Sequence, residues 1–225
     1  MLQNKKYIIL VIFSFIVLLI FLFLSNFLDN NFKAQENTEL TGQKLNYDPL
    51  ITKADDFYMS FIREHNLVWQ NGNLQVQIFC DFSSLDCKKV WQYLQQIRSE
   101  NLAVSIAWKH FPTPLNPVSQ SASRATLCAR EQGAFWEFGD LVFENQEILD
   151  ELYFIDFLKK LNLDYEKFET CFNNENVLEL IGQDMEDTQK LQVNNFPYAI
   201  VGSVRLDKDS IGELSNVILS EAKNL

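Results

Sequence analysis

The chain is poor in metal-ligating residues: it has two histidines, His65 and His110, far apart in sequence, and no cysteine-histidine cluster at zinc spacing. A metal site is therefore not expected, and each histidine reads as an ordinary surface or strand-end residue. Basic residues are also scarce, with 19 Lys and Arg against 30 Asp and Glu and a net charge of -11 at pH 7. Such a chain repels polyanions, which argues against nucleic acid as a partner. No internal repeat or long low-complexity tract is present, so solenoids and propellers are disfavoured. Charge is missing altogether from Tyr7 to Leu28. At ~1.5 Å per helical residue this stretch matches the ~30 Å hydrocarbon core of a bilayer.

What is present around that stretch orients it. Lys5 and Lys6 precede it and acidic residues dominate after it, so residues 1–6 are expected in the cytoplasm, residues 7–28 in the membrane and the remainder outside the cell membrane. No small-x-small cleavage site follows, which favours an uncleaved single-pass anchor over a removed signal peptide. Residues 29–55 are polar and lack apolar periodicity, and they read as a juxtamembrane linker. Residues 56–225 form one domain, and the chain's 47% hydrophobic composition suffices for its core. Cys80, Cys87, Cys128 and Cys171 all lie in this exported part, where disulfides persist; four cysteines allow three connectivities.

Along the domain, a short helix is expected from Asp56 to Glu64, followed by a central strand from Val76 to Phe82. Ser83 or Ser84 caps a helix whose Cys87, Val90, Trp91, Leu94 and Ile97 recur at three- and four-residue intervals along one face. A second strand, Ala103 to Phe111, would pair parallel with the first. Helical patterns cover about Val118 to Glu131, Ala134 to Asn145, Asp150 to Leu161, Tyr165 to Asn173 and Val177 to Leu191. A hairpin, Tyr198 to Val201 with Ser203 to Leu206, and a helix from Ile211 to about Lys223 complete the order. The class is α/β: a thioredoxin fold with an all-helical insertion at about 114–191. Phe57, Tyr58, Trp91, Phe135, Trp136, Phe138 and Phe143 are expected in the core.

Several stretches carry a resemblance. Ile78-Phe79-Cys80-Asp81-Phe82-Ser83-Ser84-Leu85-Asp86-Cys87, Lys109-His110-Phe111-Pro112, Glu131-Gln132-Gly133-Ala134-Phe135-Trp136-Glu137 and Val193 to Val201 resemble segments of the DsbA-like branch of the thioredoxin family, especially its membrane-anchored bacterial members. The resemblance covers roughly Gln75 to Leu206 and implies thiol-disulfide oxidoreductase descent. Four departures coincide at the site. Ser84 stands at the attacking cysteine of the Cys-x-x-Cys motif, Leu85 at the common proline, Asp86 between the two motif positions, and Ile78 where many members keep a buried acid. Pro197 falls at the family's cis-proline, and Phe196 beside it would offer an apolar contact to an extended peptide. A Cys128 to Cys171 disulfide is implied by similar pairs in relatives, and it would stabilise the insert by roughly 2 to 4 kcal/mol.

Ordinary family chemistry needs a thiolate at the helix N-terminus, and a serine hydroxyl cannot enter a mixed disulfide. Ser84 reads as a helix cap rather than an acyl-transfer nucleophile, since neither histidine has a context that brings it near. Cys87 is a lone thiol, an inert core cysteine or the partner of Cys80, which shares the strand parity of Ile78 and so faces the same side. Asp86 would disfavour a Cys87 thiolate. The candidate catalytic residues are thus Cys87, Ser84 and Cys80, with Phe196 and Pro197 as candidate substrate contacts and no cofactor implied. Two functions compete: an exported, membrane-anchored oxidoreductase relative with altered or lost dithiol chemistry, and a non-catalytic module binding exported proteins or peptides.

Overall fold

Val76, Ile78, Phe79 and Cys80 are all fully buried, as expected for a strand covered on both faces, and this strand is the centre of the sheet. The computed structural model describes residues 57–114 and 116–222. The expected cytoplasmic terminus, membrane span and linker, residues 1–55, lie outside these. Among the described residues no helix is long and apolar enough to cross a membrane.

The sheet has five strands: β1 (Leu67–Gln70), β2 (Leu74–Cys80), β3 (Val104–His110), β4 (Tyr198–Val201) and β5 (Val204–Leu206), in the order β1-β3-β2-β4-β5. β2 and β3 run parallel, joined by helix α1 (Leu85–Ser99), while the pairs β1–β3, β2–β4 and β4–β5 are antiparallel. Five helices separate β3 from β4: α2 (Pro117–Glu131), α3 (Phe135–Glu144), α4 (Glu151–Leu161), α5 (Tyr165–Phe172) and α6 (Glu175–Lys190). After β5 a 3-10 turn at Ile211–Glu213 leads into α7 (Leu214–Ala222). The fold is the expected thioredoxin-like α/β arrangement with a helical insertion.

Local chemistry marks the boundaries. The insert opens where Asn116 accepts from the amides of Val118 and Ser119, with Pro117 at the first helical position, where its missing N–H is no loss. α2 and α3 are separated by Gly133 at φ +77°, a left-handed conformation that a side chain disfavours. Asn162, also left-handed, ends α4.

Two expectations need correction at the N-terminal edge. In place of a helix through Glu64, residues 57–59 make one helical turn and a 3-10 turn spans Glu64–Asn66. One turn presents no continuous apolar stripe, so Phe57 is 53% exposed and meets Tyr58 and Phe61 edge-on rather than entering the core. β1 then follows, a strand that the sequence reading lacked.

The buried face of α1 carries Cys87, Val90, Trp91, Leu94 and Ile97, the stripe read from spacing. Trp91 sits among Phe82, Trp108, Phe135, Trp136 and Phe143, with ring centroids between 4.6 and 5.9 Å from its own. Tilted and edge-on aromatic pairs of this kind add to burial. Gly139 on α3 lies directly beneath the Trp91 ring, where a Cβ would collide with the indole. Gly139→Ala should therefore lower stability by about 1–3 kcal/mol through overpacking. A urea midpoint unchanged from wild type would contradict this packing.

Candidate functional site

The junction between β2 and α1 gathers the sequence-predicted residues. Ser84 is the N-cap of α1: its backbone is extended and its Oγ accepts from the Cys87 amide at 3.3 Å. This is a capping role, and no histidine is among its hydrogen-bond partners. Leu85 is 64% exposed. Asp86 pairs with Lys89 at 2.9 Å and Lys208 at 3.6 Å, and the Lys89 hydrogen bond, despite slight desolvation, holds its carboxyl below the usual range. Asp86 thus spends its charge on surface lysines.

Cys87 is neither free nor thiolate. It is bonded to Cys80, with Cα atoms 5.7 Å apart, and both residues are 0% exposed. The Asp81 amide donates to Cys87 Sγ at 3.3 Å. Disulfide exchange needs a thiolate to reach a sulfur, and neither residue has exposed surface in this arrangement.

Asp81, between the two cysteines in the chain, anchors the corner. Its fully buried carboxylate accepts from the Ser83 amide, Ser119 Oγ, the Thr113 amide and Thr113 Oγ1 at 2.6–3.0 Å. These four bonds tie the start of α1 to the β3–α2 loop and to α2. Gln146, in the loop after α3, donates to the carbonyls of Phe82 and Ser84 at 2.8 and 3.0 Å, clamping the same turn from the insert.

The Phe196–Pro197 bond is cis. Phe79 pairs with Tyr198 in the antiparallel β2–β4 register, and one further step places Pro197 opposite Cys80. Phe196 is half-buried, its ring edge-on to Phe111 at 5.3 Å. Cys80, Ser84, Cys87 and Pro197 therefore meet at one end of the central strands. Cys128 and Cys171 lie apart in the insert, joined as a disulfide between α2 and α5.

His110 ends β3, as expected of a strand-end residue, but both it and His65 are buried rather than on the surface. His110 lies beside Cys80 in the β2–β3 register, and desolvation pushes its pKa down to about 4, against the raising influence of Asp184. His65 Nε2 contacts Asp184 Oδ1 at 3.2 Å. They border a charged cluster that the sequence reading missed: Lys109 Nζ contacts Asp184 at 3.3 Å and Asp187 at 2.8 Å, and Arg63 pairs with Asp187.

β1 pairs with β3 only as far as Ala107, and the cluster serves the uncovered edge beyond it. Asp184 accepts from the His110 amide at 3.0 Å and Asn66 donates to the Trp108 carbonyl at 3.3 Å. Burial alone would raise the Asp184 pKa, but the His65 hydrogen bond and the Lys109 charge outweigh it and keep the carboxylate below its usual range. The available signal was a lysine inside a fully buried strand, which requires partners, and two aspartates three apart on one helical face.

A parallel β-α-β unit, an antiparallel return and a cis-proline opposite the end of the first central strand define the thioredoxin-like class. A family model described as thioredoxin matches residues 70–219. The chain therefore belongs to the thioredoxin family. Its fold is similar to that of ScsC from Proteus mirabilis in a transitional conformation (TM-score 0.64, 17% identity, 89% of each chain covered). It is also similar to the thiol-disulfide exchange protein alpha-DsbA2 of Wolbachia pipientis (TM-score 0.63, 15% identity, 78% of this chain and 95% of that one). A curated relative, Na(+)/H(+) antiporter NhaA 3 of Salinispora tropica, is 26% identical over 144 residues, which are 64% of this chain and 22% of that protein. The chain thus spans less than a quarter of the length of the curated relatives it matches.

The buried imidazole generates a pH prediction. The folded pKa of His110 is about 4. An unfolded histidine has one near 6.5, so the unfolded state binds the extra proton and stability falls as pH drops from ~6.5 towards 4. At pH 4.5 the loss from this group is about 2–3 kcal/mol relative to pH 7. Urea unfolding of His110→Phe should show a correspondingly smaller loss than wild type over this interval, and equal losses would contradict the assignment.

Proposed function

We propose that this chain is an exported, membrane-anchored member of the thiol-disulfide oxidoreductase family in which ordinary dithiol exchange has been lost. One observation carries the reading: the sulfur that would resolve a mixed disulfide, Cys87, is bonded to Cys80 in a fully buried corner, while the attacking position holds the capping Ser84. No thiolate can form at Ser84, and none at Cys87 while the bond stands. Tethering draws its support from the uncharged stretch Tyr7 to Leu28 with Lys5 and Lys6 before it, and from curated relatives named as Na(+)/H(+) antiporters. The paired cysteines favour an oxidising compartment.

A second reading, a non-catalytic module that holds extended peptides, is favoured by Phe196 and cis-Pro197. They lie just before β4, opposite the end of β2, as in folds that pair with a peptide backbone. Both readings place exported proteins or peptides as partners, and they differ in whether the ancestral site can still be revived.

An insulin-reduction assay tests the proposal. Wild type should match buffer, and the double variant Ser84→Cys with Cys80→Ala, which rebuilds a dithiol at the N-terminus of α1, should exceed it by about 100-fold or more. Wild-type turnover that Cys87→Ala abolishes would contradict the loss of exchange. A double variant that folds and stays inactive would favour the peptide-holding reading, for which Phe196→Ala should weaken binding of an unfolded peptide.

A further inference from the structure

We propose that the disulfide of this chain that exchanges with external thiols is Cys128–Cys171, and that its substrates are small uncharged thiols entering a cleft of the helical insert. The two disulfides have the same Cα separation, 5.7 Å, and differ in their surroundings. Cys80 and Cys87 are sealed at the β2–α1 corner. Cys128 and Cys171 both line an open cleft of about 570 Å³, walled also by Glu131, Glu166, Thr170 and Asn174. Clefts of a few hundred Å³ admit drug-sized ligands, so a two-carbon thiol fits easily.

Geometry within the cleft selects the sulfur attacked. Cys171, in the last turn of α5, is 7% exposed and Cys128 is 1% exposed. An incoming thiolate bonds to Cys171 Sγ, the S–S bond breaks, and Cys128 leaves as a thiolate that takes a proton from water. A second thiolate attacks the mixed disulfide at the small-molecule sulfur. Cys171 is released, the two small thiols are oxidised to one disulfide, and the protein gains the two electrons. Glu131 and Glu166 give the cleft two carboxylates against Lys167, which also approaches Asp164 at 3.9 Å. On a chain of net charge -11 this field disfavours anionic thiols.

The insert stays folded when the bond opens, because α5 has other anchors. Phe168 is buried and stacks on Phe138 at 5.9 Å, and Arg124 on α2 lies over the Phe172 ring at 4.5 Å. Exchange is therefore open to the native protein without global unfolding.

The test uses the full-length oxidised chain in native buffer with 2-mercaptoethanol, quenched by alkylation and mapped by peptide mass. Cys128 and Cys171 should be alkylated while Cys80–Cys87 stays intact, and the rate should be indifferent to sub-denaturing urea. Thr170→Trp, which fills the cleft at an exposed position, should slow reduction by about tenfold or more with an unchanged circular dichroism spectrum. At equal thiolate concentration and low salt, 2-mercaptoethanesulfonate should react more slowly than 2-mercaptoethanol. Alkylation of Cys80 and Cys87 at an equal or faster rate, a rate that climbs steeply with urea, or a rate indifferent to the Thr170 substitution would overturn the proposal. A sulfonate as fast as the uncharged thiol would overturn the substrate class.

Discussion

The Cys80–Cys87 bond closes the corner between the central strand and the first helix, and the rest of the site depends on that closure. In a thioredoxin-family protein this corner normally presents a thiol to substrate at the positive end of a helix. Here the helix N-terminus is intact, capped by Ser84 and followed by the buried stripe of α1, but its electrostatic advantage acts on a hydroxyl. The remaining sulfur is turned inward to a strand residue opposite Pro197. The helix N-terminus is kept, and a serine stands at its cap.

Polar groups hold this corner from three sides. Asp81 gathers four donors from the turn before α1, the β3–α2 loop and α2, and Gln146 donates to the carbonyls of Phe82 and Ser84. The Lys109, Asp184 and Asp187 cluster completes the edge of β3 where β1 ends. Buried charges cost little net free energy only when each is paired, and removal of one partner is strongly destabilising, by about 3–5 kcal/mol. The corner is therefore held in one arrangement by paired buried polar groups.

The α/β core was legible because it is written in local periodicity. The run Val76 to Phe82 and the three- and four-residue spacing through Ile97 define β2 and α1, and strand parity already put Cys80 on a face from which Cys87 could be reached. What escaped reading depends on long-range geometry. β1 is four residues at a sheet edge, defined only by pairing with β3. Lys109 meets aspartates more than seventy positions later, and His65 meets Asp184 across a still longer separation. His110 sits at a strand end, as expected, but the Phe82 ring and the Asp184 carboxylate cover it, which no local pattern records. The cleft beside Cys128 and Cys171 likewise exists only once α2, α5 and α6 are packed.

The measurement that bears most directly on this account is the peptide map of the unreduced, alkylated full-length chain. The account predicts a cross-linked peptide joining Cys80 to Cys87 and no alkyl group on either residue. A free, alkylated Cys87 in the native chain would contradict it.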